Sequence, residues 1–112
     1  MTEVQEFEFR RDLVRARLCR FTRKAFQLLP RLDSPCILDV GCGSGVATIE
    51  LTKLCDGQIV ALDINEHDLN RLDAKIEKER LLHRVSTLKC SMLDMKFPND
   101  SFDIIWVRAR YM

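Results

Sequence analysis

Apolar residues near the start of the chain recur at steps of three and four, a spacing that predicts an amphipathic helix. The helix is predicted from Phe7 to Leu29, because Pro30 cannot continue it. Its apolar stripe contains Val14, Leu18, Phe21, Ala25 and Leu28. We expect this stripe to face the interior of the protein.

Short apolar runs and helical patterns alternate through the rest of the chain. Four runs predict buried strands, at 36–40, 58–62, 85–90 and 102–107. Ser44 and Asn65 are the predicted N-caps of two intervening helices, which extend to about Leu54 and Leu82, and Gly57 suits the end of the first. The alternation predicts an α/β fold in which parallel strands are joined by right-handed crossovers.

The composition is that of an ordinary globular domain. The chain has 112 residues, of which 46% are hydrophobic and 31% charged, so we treat residues 1–112 as a single domain. No apolar run approaches the ~20 residues of a membrane span, and the first residues are too polar for a secretory signal. We therefore expect a cytoplasmic protein with no membrane partner.

Charge is balanced over the whole chain but not along the first helix. The net charge is +1, yet seven basic residues and a single acid, Asp12, lie between Arg10 and Lys24. The simpler interpretation is a solvated face whose long side chains cover the apolar stripe. The alternative is binding of a polyanionic substrate such as RNA, which the lack of interleaved aromatic residues on the basic side disfavours.

The spacing of the cysteines matches no recognisable disulfide or zinc-binding pattern. Five of them lie at positions 19, 36, 42, 55 and 90, with no CxxC pair. The odd count and wide spacing argue against a disulfide scaffold and against a zinc site. We expect buried free thiols and no metal.

Three of the four glycines, Gly41, Gly43 and Gly45, fall between the first strand and the helix after it. Glycines at such a turn let the backbone approach a ligand closely. Asp39 ends the first strand and Asp63 follows the second, where an acid can accept hydrogen bonds from ribose hydroxyls. The pattern predicts a cofactor that contains a nucleoside.

Two cofactor classes fit such a loop. Dinucleotide enzymes use GxGxxG, whose last glycine would fall at position 46, and Val46 stands there. The observed spacing is GxGxG, preceded by an acid two residues upstream. A nicotinamide-dependent oxidoreductase is therefore the weaker hypothesis.

The segments LDVGCGSG, LDIN and SFDIIW together resemble the class I S-adenosylmethionine-dependent methyltransferases, over roughly residues 36–107. The resemblance implies a Rossmann-like three-layer α/β/α sandwich with S-adenosyl-L-methionine as cofactor. It also implies that these four strands are the first part of a larger sheet, in the order 3-2-1-4. The chain would then be the N-terminal, cofactor-binding half of such a domain.

The same resemblance implies roles for particular residues. Asp39 would hold the methionine amino group, Asp63 the ribose hydroxyls, and Ile64 would lie against the adenine. The close backbone surface would come from Gly41, Cys42, Gly43 and Gly45. Near the adenine edge the matching positions are Ser91 and Met92, where Ser91 replaces the acid common in the family and Asp94 is a possible substitute.

The acceptor and the catalytic residues are not identified by these motifs. Substrate-facing residues of the family follow the fourth strand, which here corresponds to Arg108, Ala109 and Arg110. Methyl transfer to an unidentified small molecule is the first hypothesis for function. A non-catalytic cofactor-binding or interaction module that keeps the fold is the alternative.

A four-stranded piece of this sheet should also expose apolar surface. The predicted fourth strand, 102–107, lies at an edge, and only a short connection is available to cover one sheet face. Such edges and bare apolar faces favour association. We therefore expect a homo-oligomer formed through strand 4 or the uncovered face.

Overall fold

The structure is a computed structural model in which residues 2–107 are described. Three α-helices, four β-strands and one short 3-10 helix follow one another along this part of the chain. They are α1 (Glu3–Gln27), β1 (Cys36–Val40), α2 (Val46–Leu54), β2 (Gln58–Asp63), α3 (Glu66–Lys78), β3 (Val85–Lys89), the 3-10 helix (Met92–Asp94) and β4 (Ile104–Val107).

The strands form one parallel sheet in the order β3-β2-β1-β4, which confirms the predicted fold class and strand order. Asp39 of β1 lies opposite Ala61 of β2 and Trp106 of β4. All four strands therefore end at the same edge of the sheet. The order reverses between β1 and β4, where ligands bind in open α/β sheets.

The two faces of the sheet are covered differently. Buried residues of one face, among them Ile37, Ile59 and Ala61, pack with the apolar side chains of the helices. On the other face, Leu38, Val40 and Leu62 are buried beneath the connection from β3 to β4. The connection contributes Cys90, Met95, Phe97 and Phe102 to this packing, and Val60 of β2 packs beside them. Helices thus form one outer layer, and a mostly irregular segment with one 3-10 turn forms the other.

The first helix differs from its prediction in both position and orientation. It spans Glu3–Gln27 rather than residues 7–29, because Thr2 and Gln5 form a capping box at its start. The predicted inward stripe is wrong, since Val14 is 62% and Phe21 65% exposed. Thr22, only 1% exposed, lies instead on the buried side.

A polar contact helps to select that buried side. Arg23 Nε lies 3.2 Å from Glu50 Oε1 of α2, and the Glu50 carboxylate is nearly buried. Desolvation, followed by the charge of Glu50, raises the pKa of the nearby Cys19 thiol. The helix therefore turns a mixed face, not its most apolar face, toward α2.

Two predicted helix ends also need correction. Gly45, not Ser44, is the N-cap of α2, and it has a left-handed backbone conformation. The C-cap of that helix is Cys55. Gly57 serves close packing, because an added Cβ would lie 2.0 Å from the backbone oxygen of Pro35. The Asn65 cap is confirmed, since its side chain accepts a hydrogen bond from Asp68 N, although α3 ends at Lys78.

Two further features concern the surface of the described chain. Residues 2–107 contain no helix that is both long enough and apolar enough to cross a membrane. The edge strand β4 carries exposed apolar side chains, with Ile105 63% and Val107 59% accessible. Both lie in register with Leu38 and Val40, hence on the face that the β3–β4 connection covers only in part.

Candidate cofactor-binding site

The glycine loop follows β1 and is built on three left-handed residues. Gly41, Gly43 and Gly45 have φ values of 71°, 58° and 88°. Glycine adopts such angles without the steric cost that a Cβ brings. The alternation of the glycines is thus the local cause of the tight path between β1 and α2.

The neighbouring strand pins this loop in place. Cys42 N donates to Leu62 O at 2.9 Å, and Gly43 N donates to Asp63 Oδ2 at 2.7 Å. Both acceptors belong to the last two residues of β2. The loop is therefore a rigid part of the carboxyl edge of the sheet.

Asp63 joins the loop to the start of α3. Its second carboxylate oxygen, Oδ1, accepts a hydrogen bond from Asn65 N at 2.9 Å. The residue is only 5% exposed, so these charge-assisted bonds lie in a low-dielectric setting. Asp63 thus has a structural role in addition to the ligand role predicted for it.

Asp39 is the second buried carboxylate of this edge. It is 2% exposed, and Thr48 Oγ1 of α2 donates to its Oδ2 at 2.5 Å. Thr48 is itself fully buried. The sequence motifs did not indicate Thr48, and the available signal was a polar residue on the sheet-facing side of an otherwise packed helix.

We expect Thr48→Val to lower the free energy of unfolding by about 1–3 kcal/mol, because the buried Asp39 carboxylate loses a donor. Urea unfolding is the measurement, and Thr48→Ser, which keeps the hydroxyl, is the matched control. Equal stabilities of the two variants would show that this hydrogen bond does not hold Asp39 in place.

The loop residues differ in what surrounds them. A Cβ added at Gly41 would meet no heavy atom within 4 Å, whereas one at Gly45 would lie 2.2 Å from Leu72 Cδ1 of α3. Gly41 therefore faces open space, and Gly45 permits close helix packing. The Cys42 side chain is 3% exposed and belongs to the hydrophobic core, so Cys42 contributes its backbone to the surface of the site.

A lysine also holds the loop from the side of α3. Lys75 Nζ donates to Ser44 O at 2.9 Å. Burial, followed by the positive charges of Arg15 and Arg71, lowers the pKa of Lys75. The Lys75 ammonium group thus links α3 to the glycine loop.

The rim of the site carries the apolar residues predicted to contact the adenine. Ile64 is 68% exposed directly after Asp63, and Met92 is also exposed. Cys90 N donates to Asp63 O at 3.1 Å, which brings the ends of β2 and β3 together. These contacts place Ile64 and Met92 on neighbouring connections at one edge.

Ser91 and Asp94 are tied to the 3-10 turn at this rim. The Ser91 hydroxyl accepts from Leu93 N at 3.1 Å, and Asp94 N donates to Ser91 O at 3.0 Å. Ser91 therefore caps the turn with its side chain. Arg108, Ala109 and Arg110, the predicted substrate-side positions, lie outside the described residues.

The arrangement fits a nucleoside cofactor with a charged amino-acid part. Buried carboxylates stand at the ends of two adjacent strands, open space faces Gly41 in the loop after the first of these strands, and apolar side chains flank the edge. Carboxylates accept hydrogen bonds from both ammonium and hydroxyl groups. Within residues 2–107, no group of three or more His, Cys, Asp or Glu side chains is arranged to hold a metal ion.

Comparison with known proteins agrees with this geometry. Residues 37–112 match a family described as a methyltransferase domain. The chain belongs to this methyltransferase domain family. The matched region begins in β1 and includes the glycine loop, Asp63 and the β3–β4 connection, so it contains every site residue discussed above.

A sterol 24-C-methyltransferase from Aspergillus fumigatus is 39% identical over 70 residues, which is 62% of this chain and 19% of that protein. Among solved structures, a putative S-adenosyl-L-methionine-dependent methyltransferase from Methanococcus maripaludis aligns with a TM-score of 0.79. That alignment has 19% identity and covers 95% of this chain and 48% of the other.

A geranyl diphosphate C-methyltransferase from Streptomyces coelicolor, solved with S-adenosyl-L-homocysteine, aligns with a TM-score of 0.73. Its identity is 16%, over 79% of this chain and 33% of that one. The two structural likenesses support the Rossmann-like fold of the methyltransferase domain. The chain spans less than half the length of each of these three proteins.

Proposed function

We propose that this methyltransferase domain binds S-adenosyl-L-methionine at the carboxyl edge of its sheet and serves methyl transfer to a small molecule. The observation that carries the proposal is the open cradle at Gly41, set between the buried carboxylates of Asp39 and Asp63. Family membership supports the choice of cofactor over a nicotinamide dinucleotide.

The proposed roles follow from charge and position. Asp39 is suited to the ammonium of the methionine part, and Asp63 to the ribose hydroxyls, since carboxylates accept hydrogen bonds from both. The backbone around Gly41 and Gly43 provides the close surface between them. Ile64 and Met92, with Ser91 beside them, are suited to the apolar faces of the adenine.

When bound, S-adenosyl-L-methionine supplies a methyl group activated by the positive charge of its sulfur. The described residues bind, orient and partly bury the reactant, which are the main requirements for an in-line displacement. No general base is assigned among residues 2–107, and one is needed only when the acceptor nucleophile is protonated.

The acceptor is proposed to be a small molecule with substantial apolar character. The similarity to a sterol 24-C-methyltransferase and to a geranyl diphosphate C-methyltransferase supports this class. Nucleic acid remains the weaker hypothesis, because the overall charge is close to balance.

Calorimetric titration with S-adenosyl-L-homocysteine and, separately, with NAD tests the cofactor. We expect saturable binding of the first and none of the second. Binding of NAD alone would overturn the proposal. Transfer of a labelled methyl group to a panel of sterols and prenyl diphosphates then tests the reaction, and binding without transfer would favour the alternative of a non-catalytic module.

Self-association through β4 is a second part of the proposal. This strand is an edge of the described sheet, and its Ile105 and Val107 side chains are exposed on the face that the β3–β4 connection covers only in part. Sedimentation at micromolar concentration should therefore detect a dimer or larger species. Ile105→Lys should shift it toward monomer, whereas Leu82→Lys, at an exposed site after α3, should not. A monomer for the unchanged chain would contradict this part.

Localisation in the cytoplasm stays a prediction.

A further inference from the structure

An exposed apolar stripe runs along α1 on a side that the fold does not cover. Phe7, Val14 and Phe21 recur every seven residues and are 65%, 62% and 65% exposed, and Val4 extends the stripe toward the N-terminus. Residues seven apart lie on nearly the same side of a helix. The three side chains therefore share one side of α1, where the Arg11 guanidinium lies 6.0 Å from the centroid of the Phe7 ring.

Basic residues follow the same spacing beside the stripe. Arg10, Arg17 and Lys24 also recur every seven residues, one helical row away from Phe7, Val14 and Phe21. Arg10 pairs with Glu6 at 2.7 Å, whereas among the described side chains no carboxylate lies within 4.0 Å of Arg17 or Lys24.

Charge is unevenly distributed along α1. Seven basic residues and one acid between Arg10 and Lys24 give that stretch a charge of about +6. Three further acids, Glu3, Glu6 and Glu8, lie at the start of the helix, so α1 as a whole carries about +3, against +1 for the whole chain. The expectation of no membrane partner rested on the overall charge and on the lack of a membrane span, and neither describes an exposed face of a helix.

We propose that α1 docks on an anionic phospholipid surface, with Val4, Phe7 and Val14 inserted at the lipid boundary and Arg17 and Lys24 at the headgroups. A basic row beside an exposed aromatic and aliphatic stripe is the pattern of helices that lie in a membrane interface. The proposal does not depend on methyl transfer.

The charge pattern favours this occupant over two others. A second copy packed in parallel along the same stripe would bring the basic rows of the two helices together, and like charges at such flanks oppose pairing. A nucleic acid would satisfy the arginines but would leave the apolar stripe in water. An anionic lipid surface satisfies both features.

Co-sedimentation of the full chain with phospholipid vesicles tests the proposal. The probes are phosphatidylcholine vesicles with and without about 30% phosphatidylglycerol. We expect at least tenfold stronger partitioning to the anionic vesicles, and a marked loss at high salt because surface charge is screened. Equal binding to both kinds of vesicle, or to neither, would overturn the proposal.

Two matched pairs of variants assign the effect to α1. Phe7→Ser with Val14→Ser should reduce partitioning about tenfold or more, whereas Leu82→Ser, an exposed apolar site after α3, should leave it unchanged. Arg17→Gln with Lys24→Gln should reduce it by a similar factor, because each basic residue near an anionic surface contributes. Lys78→Gln, at the exposed end of α3, is the control for charge.

Folding and self-association are measured on the same samples. All substituted side chains on α1 are exposed, and glutamine is a good helix former, so circular dichroism should match that of the unchanged chain. Sedimentation distinguishes the second copy. If Phe7→Ser with Val14→Ser abolishes a dimer and leaves vesicle binding intact, the stripe is a protein interface and the lipid proposal is wrong.

Discussion

Asp63→Ala should weaken binding of S-adenosyl-L-homocysteine by about 30- to 1000-fold. Two charge-assisted hydrogen bonds from a buried carboxylate are together worth about 2–4 kcal/mol in affinity. The structure adds a second reason, because the same carboxylate accepts from Gly43 N and Asn65 N and so holds the loop in place. Calorimetric titration measures the change, and unchanged affinity would remove Asp63 from the site.

A truncated ligand distinguishes the binding role of Asp63 from that of Asp39. Methylthioadenosine keeps the ribose and adenine but lacks the amino-acid part of the cofactor. Asp63→Ala should weaken both ligands, since both present ribose hydroxyls. Asp39→Asn should weaken S-adenosyl-L-homocysteine and leave methylthioadenosine almost unchanged, because only the former carries an ammonium group. The reverse pattern would exchange the two assignments.

Loss of the loop tether must be distinguished from loss of a ligand contact. Urea unfolding of Asp63→Ala without ligand measures the structural part. Asp56→Ala is a suitable control, because this exposed acid lies before β2, at the opposite edge of the sheet. We expect the control to bind like the unchanged chain.

The fold could be predicted in outline because several local signals agreed. The buried runs, the Asn65 cap and the alternation of elements all pointed to a parallel sheet, and the observed order β3-β2-β1-β4 confirms it. The glycine loop could be predicted equally well. The backbone has positive φ at alternate positions, and glycine is the residue favoured at such angles. Where such signals coincide, a single sequence is enough to predict the fold in outline.

The first helix shows where pattern reasoning failed. Its most apolar stripe predicted the buried face, yet the Arg23–Glu50 pair and the buried Thr22 lie on the face that packs against α2. Periodicity identifies an apolar face but not what is available to cover it. Only the tertiary contacts reveal that Val14 and Phe21 remain exposed.

The site was predicted less completely than the fold, for a related reason. Motifs indicate residues that contact a ligand, but they do not indicate the side chains that hold those residues. Thr48 and Lys75 contact Asp39 and the glycine loop from α2 and α3, at 9 and 31 residues' separation from their partners. Such contacts depend on helix packing, which no local pattern encodes.

The glycines of one motif should have separable roles, and alanine at Gly41 and Gly45 tests this directly. Gly45→Ala should lower the free energy of unfolding by about 2–5 kcal/mol, the sum of overpacking and a left-handed alanine. Its Cβ would lie 2.2 Å from the fully buried Leu72 side chain. Gly41→Ala carries only the second of these costs, because nothing lies within 4 Å of its Cβ.

Binding should rank the two variants in the opposite order. Gly41→Ala places a methyl group in the open cradle, so we expect at least about tenfold weaker binding of S-adenosyl-L-homocysteine with most of the stability retained. A double-mutant cycle of Gly45→Ala with Leu72→Ala should show a coupling of about 1–3 kcal/mol, since the smaller side chain relieves the clash. If Gly41→Ala binds normally, the cofactor does not approach the loop on its open side, and the cradle must be sought elsewhere along the carboxyl edge.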